Sequence, residues 1–351
     1  MTLQRSPLDA EHRAIGATMV EFGGWEMPIA YPSGTIEEHL ACRNRAVMFD
    51  VSHLGTVRVE GPDAYERLQA TLTNDLAKIE PGRAQYTHLL GAADASVVDD
   101  IIVWWRPDDP AAFDVMPNAS NTEGVRAAIG GTDITADRAV IAVQGPGAKA
   151  LVSTVSPEAG AVGRFRVSAV DWNGVPCTVA GTGYTGEDGI EIAIPVDAAP
   201  SLWGALADAG VPPAGLGARD TLRLESALPL HGHELGPGIT SLQAGLGWVV
   251  SWNKPSFIGR EPAIAERDRG IGRRLVGIVT EGRRPARAGC AISIGGSVVG
   301  EVTSGNFSPV LGHGIALGFV PPDTPEGAAV MVDVRGKGLP GRVASTPFVR
   351  R

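Results

Sequence analysis

The stretch FRVSAVDWNGVPCTVAGTGYTGEDGIEIAIP, residues 165–195, predicts three consecutive β-strands joined by two tight turns. The dipeptide Asn173-Gly174 is typical of a two-residue hairpin turn, because both turn positions need a positive φ. The second turn carries glycines at positions 181, 183, 186 and 189. These glycines allow a positive φ and a close approach of the backbone to a ligand.

Strands and helices alternate on both sides of this stretch. RAVIAVQGPGAKALVSTV (138–155) reads as a strand, a Gly-Pro turn and a helix, and helices are predicted at 199–210 and 217–228. Upstream, GTVRVEG (55–61) predicts a strand, and the following helix has Leu68, Leu72 and Leu76 on one face. The same arrangement occurs about twice. The pattern therefore predicts an α+β fold with two ferredoxin-like units of the split type, and not a doubly wound parallel sheet.

The chain changes character between Gly259 and Gly272. From Arg273 onward it consists of short strands and Gly/Pro turns with almost no helical periodicity, which predicts a small barrel or sandwich. We therefore expect a catalytic region of two interleaved α+β domains at residues 1–258 and a C-terminal β-barrel domain at residues 259–351.

Composition limits the classes of function. The net charge of −9 over 351 residues argues against nonspecific binding of nucleic acid, which needs a basic face. The three cysteines, Cys42, Cys177 and Cys290, lack metal-ligand spacing and fit reduced thiols. No apolar run approaches the length that spans a membrane, and the N-terminus lacks the apolar region of a signal peptide. We expect a cytoplasmic protein without partners among nucleic acids or membranes.

Two adjacent acids interrupt the apolar strand SVVDDIIVWW, residues 96–105. Neighbouring side chains of a strand point to opposite faces, so only one of Asp99 and Asp100 faces a given cleft. The pair either caps backbone N–H groups at a bulge or strand end, or supplies one carboxylate to a cleft as an acceptor or general base. The residues alone leave both interpretations open.

Glu191 and Arg219 are further candidates for a binding site. Glu191 lies between Ile190 and Ile192, and its two oxygens suit a ligand edge with two parallel N–H donors or, equally well, a buried arginine. Arg219 follows a glycine-rich turn at a predicted helix N-terminus, and Arg223 lies one turn beyond it.

Other residues give weaker signals. His231, His233 and Glu234 lie close together, but HxH with a single Glu is a poor metal site, and no metal is expected. Trp248 lies in a glycine-rich stretch, where it either packs in a core or forms a wall against a planar ligand.

Seven stretches together resemble the aminomethyltransferase (T-protein) family of the glycine cleavage system. In chain order they are PLDAEHRAIGATMVEFGGWEMPIAY, MFDVSHLGTVRVEG, VVDDIIV, GYTGEDGIEIAIP, GLGARDTLRLES, FIGREP and TSGNFSPVLGHGIALGFV. The resemblance covers essentially the whole chain. It implies a three-domain, cloverleaf-like enzyme that takes an aminomethyl group from the lipoyl arm of the H-protein, releases ammonia, and passes the one-carbon unit to tetrahydrofolate as co-substrate, giving 5,10-methylenetetrahydrofolate.

The resemblance also implies roles for individual residues. Asp100 matches the key aspartate, which orients the amine nucleophile near N5 and N10 of the folate and stabilises the positive charge that develops as ammonia leaves. Glu191 matches the glutamate that binds the two-donor edge of the pterin. The remaining candidates for contacts with the folate are Arg219, Asn118, Tyr184, Trp248, Leu54 and Tyr86.

This chain departs from the family pattern at three positions. Leu54 replaces the usual Met after DVSH, which keeps an apolar contact. His231 replaces a Tyr, which puts a group that titrates near neutrality in place of a phenol. Pro117 precedes Asn118 where a residue with an N–H is usual, which predicts an edge or bulged strand.

Three alternatives differ in class. Another tetrahydrofolate-dependent demethylase or one-carbon transferase of the same fold is the closest. A non-enzymatic folate-binding factor for iron–sulfur maturation is disfavoured, because WNKPSFIGREP (252–262) lacks the cysteine that such proteins carry. A degenerate folate-binding regulator is disfavoured by the joint presence of Asp100, Glu191 and Arg219.

Overall fold

The structure is a computed structural model that describes residues 2–350. The chain divides into two compact units. The first unit contains the residues up to Thr87 together with Asp100–Arg219, and the second contains His88–Asp99 together with the chain from Asp220 onward. The domain boundary expected at residue 258 stays a prediction.

Helices and strands alternate through residues 2–260, and strands dominate afterwards. The helices are α1 (Asp9–Ala14), α2 (Thr35–Asn44), α3 (Ala64–Thr71), α4 (Thr122–Ile129), α5 (Ala148–Val155), α6 (Pro157–Gly160), α7 (Ala199–Asp208), α8 (Leu216–Glu225) and α9 (Arg260–Arg269). The strands are β1 (Gln4–Arg5), β2 (Thr18–Phe22), β3 (Trp25–Ala30), β4 (Val47–Asp50), β5 (Val57–Glu60), β6 (Ala84–Leu90), β7 (Val97–Trp105), β8 (Ala112–Met116), β9 (Thr132–Asp133), β10 (Arg138–Gln144), β11 (Val167–Trp172), β12 (Val175–Ala180), β13 (Gly189–Pro195), β14 (Arg274–Thr280), β15 (Ala291–Ile294), β16 (Ser297–Phe307), β17 (Gly314–Val320), β18 (Ala329–Val334) and β19 (Lys337–Ala344). Over the described part of the chain, every helix is too short or too polar to cross a membrane.

The stretch that opened the sequence analysis forms part of a five-stranded antiparallel sheet with the order β11-β12-β13-β10-β4. Trp172 pairs with Val175, and Asn173 and Gly174 have φ values of 55° and 84°, so the predicted hairpin turn is confirmed. One face of this sheet packs on α5 and α7 through a continuous apolar core. That core includes Ile141, Val143, Ile190, Ile192, Leu202, Trp203 and Leu206.

A second five-stranded sheet has the order β6-β7-β8-β5-β9 and carries α3 and α4 in its connections. The predicted helix that contains Leu68 ends at Thr71, because Leu72 is extended and Asp75 caps a separate 3₁₀ turn with its side chain. Placing Leu72 and Leu76 on that helix was therefore wrong, although both are buried. The edge or bulge predicted at Pro117 was also wrong, since β8 lies inside the sheet and ends at Met116, one residue before the proline.

The N-terminal segment contributes a small sheet to the first unit. Its order is β1-β3-β2, with β1 parallel to β3 and β2 antiparallel to β3. Trp25 and Met27 on β3 pack with Leu216 at the start of α8. This contact fixes the beginning of the helix that carries Arg219.

Within the second unit, the C-terminal strands close into a barrel with the order β14-β17-β16-β15-β18-β19, and β19 pairs with β14. The prediction of a mixed α+β fold with a C-terminal β-barrel is confirmed. Inward-facing residues of different strands fill the barrel core, among them Ile278 on β14, Val332 on β18 and Val343 on β19. Helix α9 was not predicted, because only Ala263 and Glu266 of that helix are buried and no apolar stripe marks it.

Candidate functional site

Asp100 lies on β7, where the strand alternation separates it from its neighbour. Asp99 is fully buried, whereas Asp100 is partly exposed. Tyr86 on β6 donates its hydroxyl to Asp100 Oδ2 at 3.1 Å, and Asn118, just after β8, donates Nδ2 to Asp100 Oδ1 at 2.9 Å. Because one donor lies on β6 and the other follows β8, the strands on either side of β7, both carboxylate oxygens are held in a defined orientation. Three of the predicted site residues therefore meet here.

Glu191 lies on β13 and is almost completely buried, with 8% of its surface exposed. Its Oε2 accepts a hydrogen bond from the hydroxyl of Thr182. The two residues paired with it across the sheet are both alanines, Ala142 on β10 and Ala180 on β12. Side chains opposite each other lie on the same face, so these small neighbours leave room beside the carboxylate.

Arg219 lies on α8 with its guanidinium carbon 5.0 Å from the centre of the Tyr184 ring, a cation–π distance. Its Nη1 is buried and has no hydrogen-bond partner. Burial lowers the pKa of Arg219, and the negative charge of Glu191 acts in the opposite direction, so the two groups lie within each other's electrostatic field. A buried guanidinium N–H without an acceptor is costly, and a ligand oxygen or nitrogen would remove that cost.

His53 is a further residue of this site that was not predicted from the sequence. It is buried beside Phe22, with ring centres 5.4 Å apart, and its Nδ1 has no partner. Burial, and then the charge of Arg219, lower its pKa to about 3, so the imidazole is neutral at neutral pH. Its place directly before Leu54 in DVSHL was the available signal, but nothing local showed that the side chain turns inward toward Arg219.

The turn that carries His53 and Leu54 is held by Arg138. The guanidinium donates to the carbonyls of Ser52, at 2.8 Å, and Leu54, and to the Thr56 hydroxyl, at 2.6 and 2.8 Å. These acceptors are all uncharged, and burial lowers the pKa of Arg138 to about 10. Leu54 is partly buried, and Arg138 holds its turn through hydrogen bonds to the carbonyl groups.

Asp50 anchors the same turn from its other end. Its Oδ1 accepts the Ser52 N–H at 2.9 Å, and its Oδ2 contacts His12 Nε2 at 2.9 Å and accepts the Ser6 hydroxyl. Tyr31 extends this series of hydrogen bonds through a 2.9 Å contact between its hydroxyl and His12 Nδ1. Burial alone would raise the pKa of Asp50, but the hydrogen bond and charge of His12 hold it below its usual range.

The pKa of His53 has a consequence for stability at acid pH. An unfolded histidine binds a proton near pH 6.5, whereas folded His53 does so only near pH 3. The unfolded state therefore binds more protons in this window, and the free energy of unfolding falls by about 1.4 kcal/mol for each pH unit of acidification. Urea unfolding between pH 4.5 and 6 measures how the free energy of unfolding depends on pH. In His53→Leu this dependence should be weaker than in the parent by about 1.4 kcal/mol per pH unit, the contribution of one proton. Equal slopes in the parent and in His53→Leu would contradict the assignment.

The glycine-rich turn before β13 has a different role from the one predicted. Gly186 is the glycine of this turn that needs a positive φ, at 80°. A Cβ at Gly183 would lie 1.9 Å from Gln144 Oε1, one at Gly181 would lie 2.0 Å from the Gly163 carbonyl oxygen, and one at Gly189 would lie 2.3 Å from the Val143 carbonyl oxygen. These three glycines thus allow close approach to the protein's own atoms, where we had expected a ligand.

Several other predicted residues belong to the second unit. Arg223 is buried in ion pairs with Glu234, at 3.0 Å, and Asp220, at 2.8 Å, and it also donates to Ser304, so it serves packing in that unit. His233 Nδ1 contacts the Thr303 carbonyl oxygen at 2.7 Å. His231 lies in the same turn region and is partly buried. Trp248 lies on a short 3₁₀ helix, Gly247–Val249, and is 64% exposed.

The chain is similar to known proteins along its whole length. The family profile described as "GCVT N-terminal domain" matches residues 8–254, and the profile described as "Glycine cleavage T-protein C-terminal barrel domain" matches residues 273–350. An aminomethyltransferase of Desulfitobacterium hafniense is 41% identical over 364 residues, covering 99% of each chain. An aminomethyltransferase of Mycobacterium bovis is 43% identical over 363 residues, covering 99% of this chain and 97% of its own.

A solved structure has the same fold. The crystal structure of the glycine cleavage system aminomethyltransferase T from Bartonella henselae superposes with a TM-score of 0.91. The two sequences are 35% identical, and the match covers 99% of this chain and 98% of the other.

Proposed function

Since the chain belongs to the glycine cleavage T-protein family and is an aminomethyltransferase, we propose that it transfers the one-carbon unit of an aminomethyl group to tetrahydrofolate. The aminomethyl group arrives on the lipoyl arm of the H-protein, ammonia is released, and 5,10-methylenetetrahydrofolate is the product. One observation supports the folate assignment above all: Glu191, a buried carboxylate, lies in the field of Arg219, whose buried Nη1 has no protein partner.

The chemistry of Glu191 and Arg219 fits the pterin ring. The 2-amino group and N3–H of a reduced pterin form an edge with two parallel donors, which a carboxylate accepts as a pair. Thr182 orients Glu191 by donating to Oε2, and the alanines across the sheet leave space for a flat ligand. Arg219, oriented by the Tyr184 ring, supplies an N–H donor for an acceptor atom of the same ligand.

Asp100 is the proposed catalytic residue. Its two oxygens accept hydrogen bonds from neutral donors, Tyr86 and Asn118, which orient the carboxylate without adding a charge of their own. A carboxylate held in this way orients an attacking amine N–H and stabilises positive charge that develops as ammonia departs. It also accepts or returns a proton at the reacting nitrogen. Leu54 is proposed to contribute an apolar contact with the folate.

A reconstituted assay tests the proposed function. Purified protein, aminomethyl-loaded lipoyl carrier protein and tetrahydrofolate are combined, and ammonia and 5,10-methylenetetrahydrofolate are quantified together. We expect equal yields of the two products, and no methylenetetrahydrofolate when the carrier is replaced by its unloaded form. Turnover of a free methylated amine without the carrier would instead favour a demethylase of the same fold. Folate binding without any turnover would favour a regulator.

A further inference from the structure

Gln144 is a buried polar residue that the proposed mechanism does not use. It is the last residue of β10 and its side chain is fully buried. Burying a primary amide is unfavourable unless its donors and acceptor are satisfied. Where its hydrogen bonds go therefore indicates what the side chain does.

The amide of Gln144 bonds to both arms of the glycine-rich turn, residues 181–189. Nε2 donates to the Thr182 carbonyl oxygen at 3.1 Å, and Oε1 accepts the Thr185 hydroxyl at 3.0 Å. The turn follows the amide closely, since a Cβ at Gly183 would lie 1.9 Å from Oε1, and one at Gly189 would lie 2.6 Å from Nε2. The turn is thus shaped around this one side chain.

Arg43 on α2 supports the second arm of the turn. Its Nη1 donates to the Thr185 carbonyl oxygen at 2.9 Å and forms an ion pair with Glu187 at 2.8 Å, with both side chains almost completely buried. Arg43 therefore holds Thr185 and Glu187, whereas Gln144 spans from Thr182 to Thr185. Tyr184 lies between these two attachment points.

Two of the residues that Gln144 bonds, Thr182 and Thr185, connect it to the proposed folate site. Thr182 donates its hydroxyl to Glu191, and Tyr184, next to Thr185, stacks on Arg219. We propose that Gln144 is a positioning residue for tetrahydrofolate, whose buried amide fixes the turn so that Thr182 orients Glu191 and Tyr184 orients Arg219. This inference rests on the proposed function, because it deepens the description of the same site.

Gln144→Met tests the inference, since methionine has a similar length and cannot replace the hydrogen bonds. We expect the Kd for tetrahydrofolate, measured by calorimetry, to rise about tenfold, as loss of one to two net hydrogen bonds predicts. Because Asp100 is held by other residues, kcat at saturating folate should stay within about threefold of the parent. Gln85→Met is the matched control, because Gln85 is also buried in the first unit but bonds the Asp75 carbonyl. It should lower Tm without raising Kd.

Gly183→Ala disturbs the same contact from the side of the turn, and it replaces Gln144→Met as the test if that variant does not fold. The added methyl group displaces the Gln144 amide and should raise Kd by a similar factor, whereas in a Gln144→Ala background it should add nothing further. Gly204→Ala, on α7 with no atom within 4 Å of the new Cβ, is the neutral glycine control.

The possible failures are distinguishable. A parent protein that does not bind tetrahydrofolate overturns the proposed function and this inference with it. If the parent binds tetrahydrofolate, and Gln144→Met and Gly183→Ala bind it as tightly as the parent does, only the positioning role is overturned. An equal rise of Kd in Gln85→Met would also overturn it, because the effect would then report general destabilisation.

Discussion

Asp100→Asn should lower kcat by about 10²- to 10⁴-fold while the Kd for tetrahydrofolate changes by less than about threefold. Asparagine keeps the shape of the side chain but removes its negative charge and its ability to accept a proton. The Tyr86 hydroxyl can still bond the variant, because a hydroxyl both donates and accepts. The change is therefore confined to the chemistry at one carboxylate. Steady-state assays and calorimetry on a single preparation measure both quantities.

Two further variants serve as comparisons for Asp100→Asn. Asp109→Asn changes an exposed aspartate in the loop before β8 and should leave kcat unaltered. Tyr86→Phe removes one of the two donors to Asp100 and should lower kcat by about tenfold, since the carboxylate keeps its charge but loses part of its orientation. If Asp100→Asn turned over as fast as the parent, Asp100 would have no part in the mechanism.

Glu191→Ala should weaken the binding of tetrahydrofolate by about 1–3 kcal/mol, or about 5- to 150-fold in Kd. Without the carboxylate, the two ligand donors and the Thr182 hydroxyl are left without an acceptor in a buried place. Arg219 also loses the opposite charge that acts against the effect of burial on its pKa, which adds to the cost. Calorimetric titration of folate into parent and variant measures the difference.

Glu191→Gln separates charge from shape in the same experiment. Glutamine still accepts from Thr182, so any remaining loss of affinity reports the second acceptor oxygen and the charge. Glu158→Gln, on an exposed glutamate of α6, should bind folate as the parent does. Unchanged affinity in Glu191→Ala would place this residue outside the pterin pocket, whatever the behaviour of Asp100→Asn.

Much of the local structure followed from patterns within a few residues. The Asn173-Gly174 turn was predicted because a two-residue hairpin needs positive φ at both positions, and the structure has them. The opposite orientation of Asp99 and Asp100 followed from the two-residue period of a strand. The predictions failed where tertiary contacts override a local pattern, as at Leu72, which is buried after the helix has already ended.

The candidate site was predictable only in part. Asp100 and Glu191 were recognised as candidates because each is an acid within an apolar strand, where burying an unpaired carboxylate is costly. Helical spacing placed Arg223 one turn beyond Arg219, but in the structure Arg223 pairs with Glu234 and donates to Ser304. Two arginines one helical turn apart look equivalent in a sequence, and only their different surroundings distinguish them.

By itself, the sequence determined many of the strands, the hairpin, a strand-rich C-terminal domain and the kinship of the chain, because these depend on short-range periodicity and on motifs in a fixed order. The tertiary structure alone decided that His53 is neutral beside Arg219, that Arg219 keeps an unpartnered donor, and that Gln144 lies beneath the glycine-rich turn. The bonds that support this turn join residues 41 and 142 positions apart along the chain. No periodicity encodes such a pairing, since it depends on how separate elements pack and on which polar groups that packing leaves to be satisfied.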